Sequence, residues 1–110
     1  MKLNKERFLR TELGGSLKDC ITSWDKALDT CRGYAYYTDE YKRARKVADW
    51  CQAQWEVYKM AMQQFYGIEY HFTRTDNYYG LVTDDETDWL FKVERKESRD
   101  NGKEVQEIEI

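Results

Sequence analysis

The chain has 110 residues, with 18 Lys and Arg, 21 Asp and Glu, three Cys, one His and no Pro, a length that suits one domain burying about two-thirds of its unfolded surface. Hydrophobic residues at 41% and aromatics at 15% exclude a wholly disordered chain, and a mean hydropathy of −0.95 calls for a densely ionic surface. No run approaches the roughly 18 apolar residues of a membrane span and the N-terminus has no apolar signal core, so a soluble, cytoplasmic protein is expected.

The net charge of −3 hides an asymmetry: residues 1–46 carry +4 and residues 47–110 carry −7. An acidic balance disfavours direct nucleic-acid binding and favours basic partners. Cys20, Cys31 and Cys51 are an odd number without CxxC spacing and sit in apolar stripes, as core thiols of a reducing compartment do.

In chain order, Asn4 is a fitting N-cap for a short helix carrying Phe8, Leu9 and Leu13, with Gly14 and Gly15 as its stop. Ser16 opens a second helix, with Leu17, Cys20, Ile21, Trp24, Leu28 and Cys31 at spacings of three and four and Gly33 as its end. Thr38 caps a third, whose Asp39 and Glu40 suit the positive end of the helix dipole and which runs unbroken to Gly67. Its predicted core stripe is Tyr41, Ala44, Ala48, Cys51, Trp55, Tyr58, Met62 and Phe65, widened on one side by Val47, Trp50, Val57 and Ala61. At 1.5 Å per residue it is a rod of about 43 Å.

Past Gly67 the period falls from 3.6 to two. Ile68, Tyr70 and Phe72 alternate with Glu69, His71 and Thr73; "YYGLVT" follows; then Trp89, Phe91 and Val93 alternate with Leu90, Lys92 and Glu94. Turn residues separate the three runs, which predicts a β-meander. The "DNG" at 100–102 marks a hairpin that would return the C-terminus as a fourth edge strand, the alternative being a frayed tail over 96–110. The predicted fold class is α+β: one domain over 1–110, helical over about 4–66, with a three- or four-stranded antiparallel meander over about 68–95 packed on the helices.

The most concentrated chemistry lies between the last two strand-like runs, where Asp84, Asp85, Glu86 and Asp88 fill four of five positions. Flanked by Tyr78, Tyr79 and Trp89, with Asp76 in the preceding turn, they read either as a solvated loop or as an anionic element that occupies a groove lined by Lys and Arg. Asp84, Glu86 and Asp88 echo the start of a calcium loop, but Trp89 stands where that loop needs glycine and Arg95 where it needs glutamate. Lys42, Arg43, Arg45 and Lys46 form the alternative site, a basic start to the long helix that suits nucleic-acid phosphate and defines a small nucleic-acid-binding regulator. A lone His71 with unpaired cysteines offers neither a zinc set nor a Cys–His nucleophile, and no Gly-rich phosphate loop is present. No enzyme, metal or cofactor is therefore expected. A third possibility is a homo-oligomeric structural protein in which the long apolar helix pairs with itself.

In its general character (small, acidic, reduced in cysteine, single-domain) the chain resembles the proteins that phages and mobile elements use for host-defence evasion, the anti-CRISPR type in particular. The resemblance implies a non-catalytic inhibitor acting as a nucleic-acid mimic in the host cytoplasm. Its partner would be the basic channel of a Cas nuclease, with Asp84, Asp85, Glu86 and Asp88 standing in for phosphates.

Overall fold

Asn4 caps the first helix as its spacing predicts: its Oδ1 accepts the Arg7 N–H at 3.0 Å. The computed structural model describes residues 3–95, which form α1 (Lys5–Arg10), α2 (Glu12–Gly33), α3 (Asp39–Tyr66), β1 (His71–Arg74), β2 (Tyr78–Val82) and β3 (Trp89–Glu94). The arrangement is α+β, helices first and strands after. The contacts gather into two units, Met1–Glu69 and Tyr70–Ile110, where the sequence reads as one domain. The helical hairpin and the meander each bring together residues that are near in sequence, and the boundary falls beside the change of period at Gly67.

The break between α1 and α2 comes earlier than the glycines suggest. Thr11 is extended (φ −74°, ψ 162°) and belongs to both helix ends. Its N–H donates to Phe8 O at 3.0 Å, and its Oγ1 accepts the Gly14 N–H at 3.0 Å. One threonine thus satisfies orphan groups of two helices, and Gly14 and Gly15 lie in the first turn of α2 instead of ending α1. Gly14 is needed for close approach, since an added Cβ would meet the Phe8 carbonyl oxygen at 1.9 Å; around Gly15 there is open space.

A short loop turns α2 back as α3. The Thr38 Oγ1 accepts the Tyr41 N–H at 3.2 Å, and Gly67, left-handed at φ 68°, donates to Gln63 O at 2.9 Å. The core between the two helices holds Leu17, Cys20, Ile21 and Ala27 of α2 with Ala44, Ala48, Cys51, Trp55 and Met62 of α3. Small residues at this seam let the backbones approach closely enough for Cys20 Sγ to donate to Cys51 O at 3.3 Å. Phe8 meets Tyr66 edge-on at 6.0 Å, fixing α1 to the end of α3. Trp24, Leu28 and Cys31 are only half-buried, and Phe65, expected in the core, is 63% exposed. No helix among the described residues is long and apolar enough to cross a membrane.

The second unit is an antiparallel sheet in the order β1-β2-β3; β1 begins only at His71, so Ile68 and Tyr70 precede the strand. A bulge lies on β3: Leu81 pairs with Phe91 but Val82 pairs with Trp89, leaving Leu90 as the extra residue. Because cross-strand partners share a face, Trp89 joins Lys92 and Glu94, and Phe91 and Val93 take the other side. The plain alternation read from the sequence is thereby broken. Gly80 makes the tight pairing possible, since a Cβ there would meet Phe91 O at 2.2 Å. The fourth strand anticipated beyond residue 95 lies outside the described residues.

The two adjacent glycines should respond oppositely to the same change. Gly14→Ala should destabilise the fold by about 2 kcal/mol or more through overpacking, whereas Gly15→Ala should stabilise it by roughly 0.5–1 kcal/mol through lower unfolded-state entropy and better helix propensity. Urea unfolding of both variants reads this; equal effects would contradict the Thr11 junction.

Candidate functional site: the tip of the β2–β3 hairpin

Six residues, Thr83 to Asp88, connect β2 to β3. Thr83 N donates to Asp88 O at 3.1 Å and Glu86 N to Thr83 O at 2.8 Å, closing the loop at its base and making a turn within it. Asp85 sits at the centre of a clasp. Its Oδ1 accepts from Thr83 Oγ1 at 2.6 Å, from Thr87 Oγ1 at 2.8 Å and from Thr87 N at 3.2 Å. Thr83 Oγ1 in turn accepts the Asp88 N–H at 3.3 Å. These bonds favour the ionised form, and the Thr83 hydroxyl, followed by the Thr87 hydroxyl and amide, holds the Asp85 carboxyl below its ordinary value.

Glu86 is left-handed at φ 58°, a conformation that costs a residue with a side chain about 1 kcal/mol. Glycine would be at ease there, yet the chain carries a carboxylate. Asp84, Asp85, Glu86 and Thr87 are all exposed. Asp84 Oδ1 lies 2.6 Å from His71 Nε2. That nitrogen is shielded from solvent and makes no properly directed hydrogen bond, so the contact is one of proximity and charge, ionic when the imidazole is protonated. Among the described residues, no lysine or arginine pairs with Asp84, Asp85 or Glu86.

One face of the sheet continues the site. Val82 pairs with His71 on one side and Trp89 on the other, so the three form a cross-strand row directly below the tip. Over the small Gly80, Tyr78 and Trp89 meet edge-on at 5.5 Å. Lys92 lies 4.3 Å from the Tyr78 ring centre and 5.1 Å from that of Trp89, within cation–π range. Tyr70, just before β1, is buried with a hydroxyl lacking a hydrogen bond. Burial first, and the nearby Asp88 charge second, push it up to about 12.

The sequence-predicted residues separate into three groups. Asp84, Asp85 and Glu86 form the tip, while Asp88 is half-buried at its base and Tyr78 and Trp89 pair below it. Tyr79 is buried at 8% exposure, faces the other side of the sheet from Tyr78 and Trp89, and has Arg95 at 5.4 Å over its ring, so it is not displayed beside the tip. Asp76 belongs to the β1–β2 turn at the opposite end of β2, a strand that alone spans about 13 Å, and lies outside the cluster. Thr83, Thr87, His71 and Lys92 also belong to this candidate site, and composition alone did not mark them. The Thr-x-Asp-x-Thr spacing around Asp85 was the available signal, because hydroxyls two residues either side of an aspartate can close an Asx-type turn.

No protein-family model, no curated protein and no solved structure matches this chain.

The alternative cluster on α3 is exposed at Lys42, Arg43, Arg45 and Lys46. Arg45 pairs with Asp49 at 3.1 Å, and Arg43 lines a groove with Lys26 and Glu40, so the four cations do not converge as one set. Among the described residues, no three His, Cys, Asp or Glu side chains gather as metal ligands. The thiols are all free; Cys20 and Cys51 are buried and Cys31 is half-buried. Burial, with smaller contributions from Cys51, pushes Cys20 up to about 11; burial also raises Cys51, against a lowering hydrogen bond from Cys20.

Two outcomes follow. Thr83→Val removes the largest cause of the Asp85 shift, so the carboxyl midpoint followed by carbon NMR should rise towards the usual carboxylate range. Since a lowered value favours folding above the unfolded midpoint, the tip should lose its clasp only as pH falls through the Asp85 titration. An unmoved midpoint would contradict the geometry. In the folded protein at mild alkaline pH, alkylation should reach Cys31 at least about tenfold faster than Cys20 or Cys51; equal rates would contradict their burial.

Proposed function

We propose that the chain is a non-catalytic binding module that docks the β2–β3 tip onto a basic, nucleic-acid-binding surface of a partner protein. The observation that carries this reading is the Asp85 clasp, which holds the exposed Asp84 and Glu86 on a turn where no lysine or arginine of the described residues pairs with them. Carboxylates so placed offer what a phosphate offers, negative charge and acceptor-only oxygens, and suit arginine forks or lysine ammonium groups. A fixed turn keeps the ordering entropy on binding small. Trp89 and Tyr78 add an aromatic margin with a polar edge, and such rings contribute much of the energy at interfaces. The channel of a nuclease that handles guide RNA or DNA is one surface of this chemistry, and inhibition by occupying it is the role we assign.

Calorimetry with an arginine-rich peptide tests this at the level of charge and geometry. The tip variant Asp84→Asn/Glu86→Gln/Asp88→Asn should bind about tenfold or more weakly than wild type at low salt. A control, Glu12→Gln/Asp49→Asn/Glu56→Gln, changes the net charge equally at exposed helical positions and should lose less than about threefold. Equal losses would assign the affinity to net charge and overturn the tip as the site.

A further inference from the structure

The α3 helix carries a second, mostly apolar stripe that the described residues leave largely uncovered. Val47, Trp50, Gln54, Val57 and Ala61 recur at intervals of three, four, three and four, which is the seam of a coiled coil, and the period continues at Gln64. At 100° per residue this stripe is centred roughly 100° around α3 from the core stripe of Ala44, Ala48, Cys51, Trp55 and Met62. Trp50 is 62% exposed, Val57 65% and, beside the seam, Met60 70%. Isolated apolar residues on a surface are ordinary, but an ordered seam over more than two heptads is an interaction face.

We infer that the face pairs with a second copy of this chain, α3 against α3 in antiparallel orientation. Three observations favour a reversed copy over an unrelated partner. The first is size: in the register that sets Trp50 opposite the second copy's Ala61, Met60 also faces the second copy's Ala53, and Gln54 meets Val57. Trp50 and Met60 each find a small side chain, twice over by symmetry, as an isologous contact requires.

The second is charge. Parallel pairing would set two clusters of Lys42, Arg43, Arg45 and Lys46 side by side, whereas reversal separates them by about 30 Å, several screening lengths. Reversal also brings each cluster to the far end of the other α3. That end carries the negative pole of the helix dipole and has no basic residue in its last turn, so the second copy supplies the cations it lacks.

The third is area. Val47, Trp50, Val57, Met60 and Phe65 together expose on the order of 500 Å² per copy, so a dimer buries about 1,000 Å², the lower bound for a specific interface. A contact at this lower bound suits a reversible dimer rather than a permanent one.

Sedimentation equilibrium of the full chain tests the pairing. Wild type at about 100 µM should sediment at twice the chain mass of 13.3 kDa. Trp50→Glu should sediment at the chain mass with its helical circular dichroism unchanged, since Trp50 is outside the core. Trp50→Ala should weaken the dimer at least about tenfold, and the exchange Trp50→Ala/Ala61→Trp should recover most of that loss, because it swaps the two halves of one pair. A wild-type monomer at that concentration, a dimer that persists in Trp50→Glu, or a double variant no better than Trp50→Ala would each overturn the inference.

Discussion

The Asp85 carboxylate accepts two threonine hydroxyls and one backbone amide at the tip of the β2–β3 hairpin, and the display of its neighbours depends on that geometry. A six-residue acidic connection repels itself and has little apolar surface to bury, so nothing generic would hold it still. Thr83 solves this by serving both strands: its backbone pairs with Asp88, its hydroxyl donates to Asp85, and the same hydroxyl accepts the Asp88 amide. The acid that is locked in place is the one that binds inward. Asp84 and Glu86, on either side of it, are the ones displayed.

The sheet beneath the tip owes its chemistry to one extra residue. Without the bulge at Leu90, Trp89 would lie on the face of Phe91 and Val93 instead of beside Lys92. The bulge turns it to the face of Tyr78, His71 and Lys92, and Gly80 leaves the two large rings room to meet. The same shift accounts for the burial of both Leu90 and Phe91, two neighbours in sequence that an unbroken strand would send to opposite environments. Lys92 is held by aromatic rings rather than by the tip carboxylates, so it does not quench the charge above it.

Much of this was legible in the residues. The three helices, the meander, the caps at Asn4 and Thr38 and the left-handed stop at Gly67 follow from local rules in which one side chain satisfies or relieves one piece of backbone. The failures lie where two levels compete. At Thr11 a cap serving two helices overrode the glycine pair as a boundary. At Leu90 a register shift, which depends on the partner strand, overrode period two. On α3 both apolar stripes look alike in sequence; only the position of α2 decides that Ala44, Ala48 and Cys51 are core and that Val47, Trp50 and Phe65 are surface. Proximity along the chain groups Asp76 and Tyr79 with the tip, and strand direction and face separate them.

Rigidity at the tip is the property on which the binding reading rests, and nitrogen-15 relaxation measures it directly. The heteronuclear NOE of the amides of Asp84 to Thr87 should match those within β2 and β3 at neutral pH, with order parameters near the roughly 0.85 of well-fixed backbone. Values falling below about 0.6, those of a mobile loop, would show that the threonine clasp does not hold in solution and would contradict the tip as a preformed anionic surface.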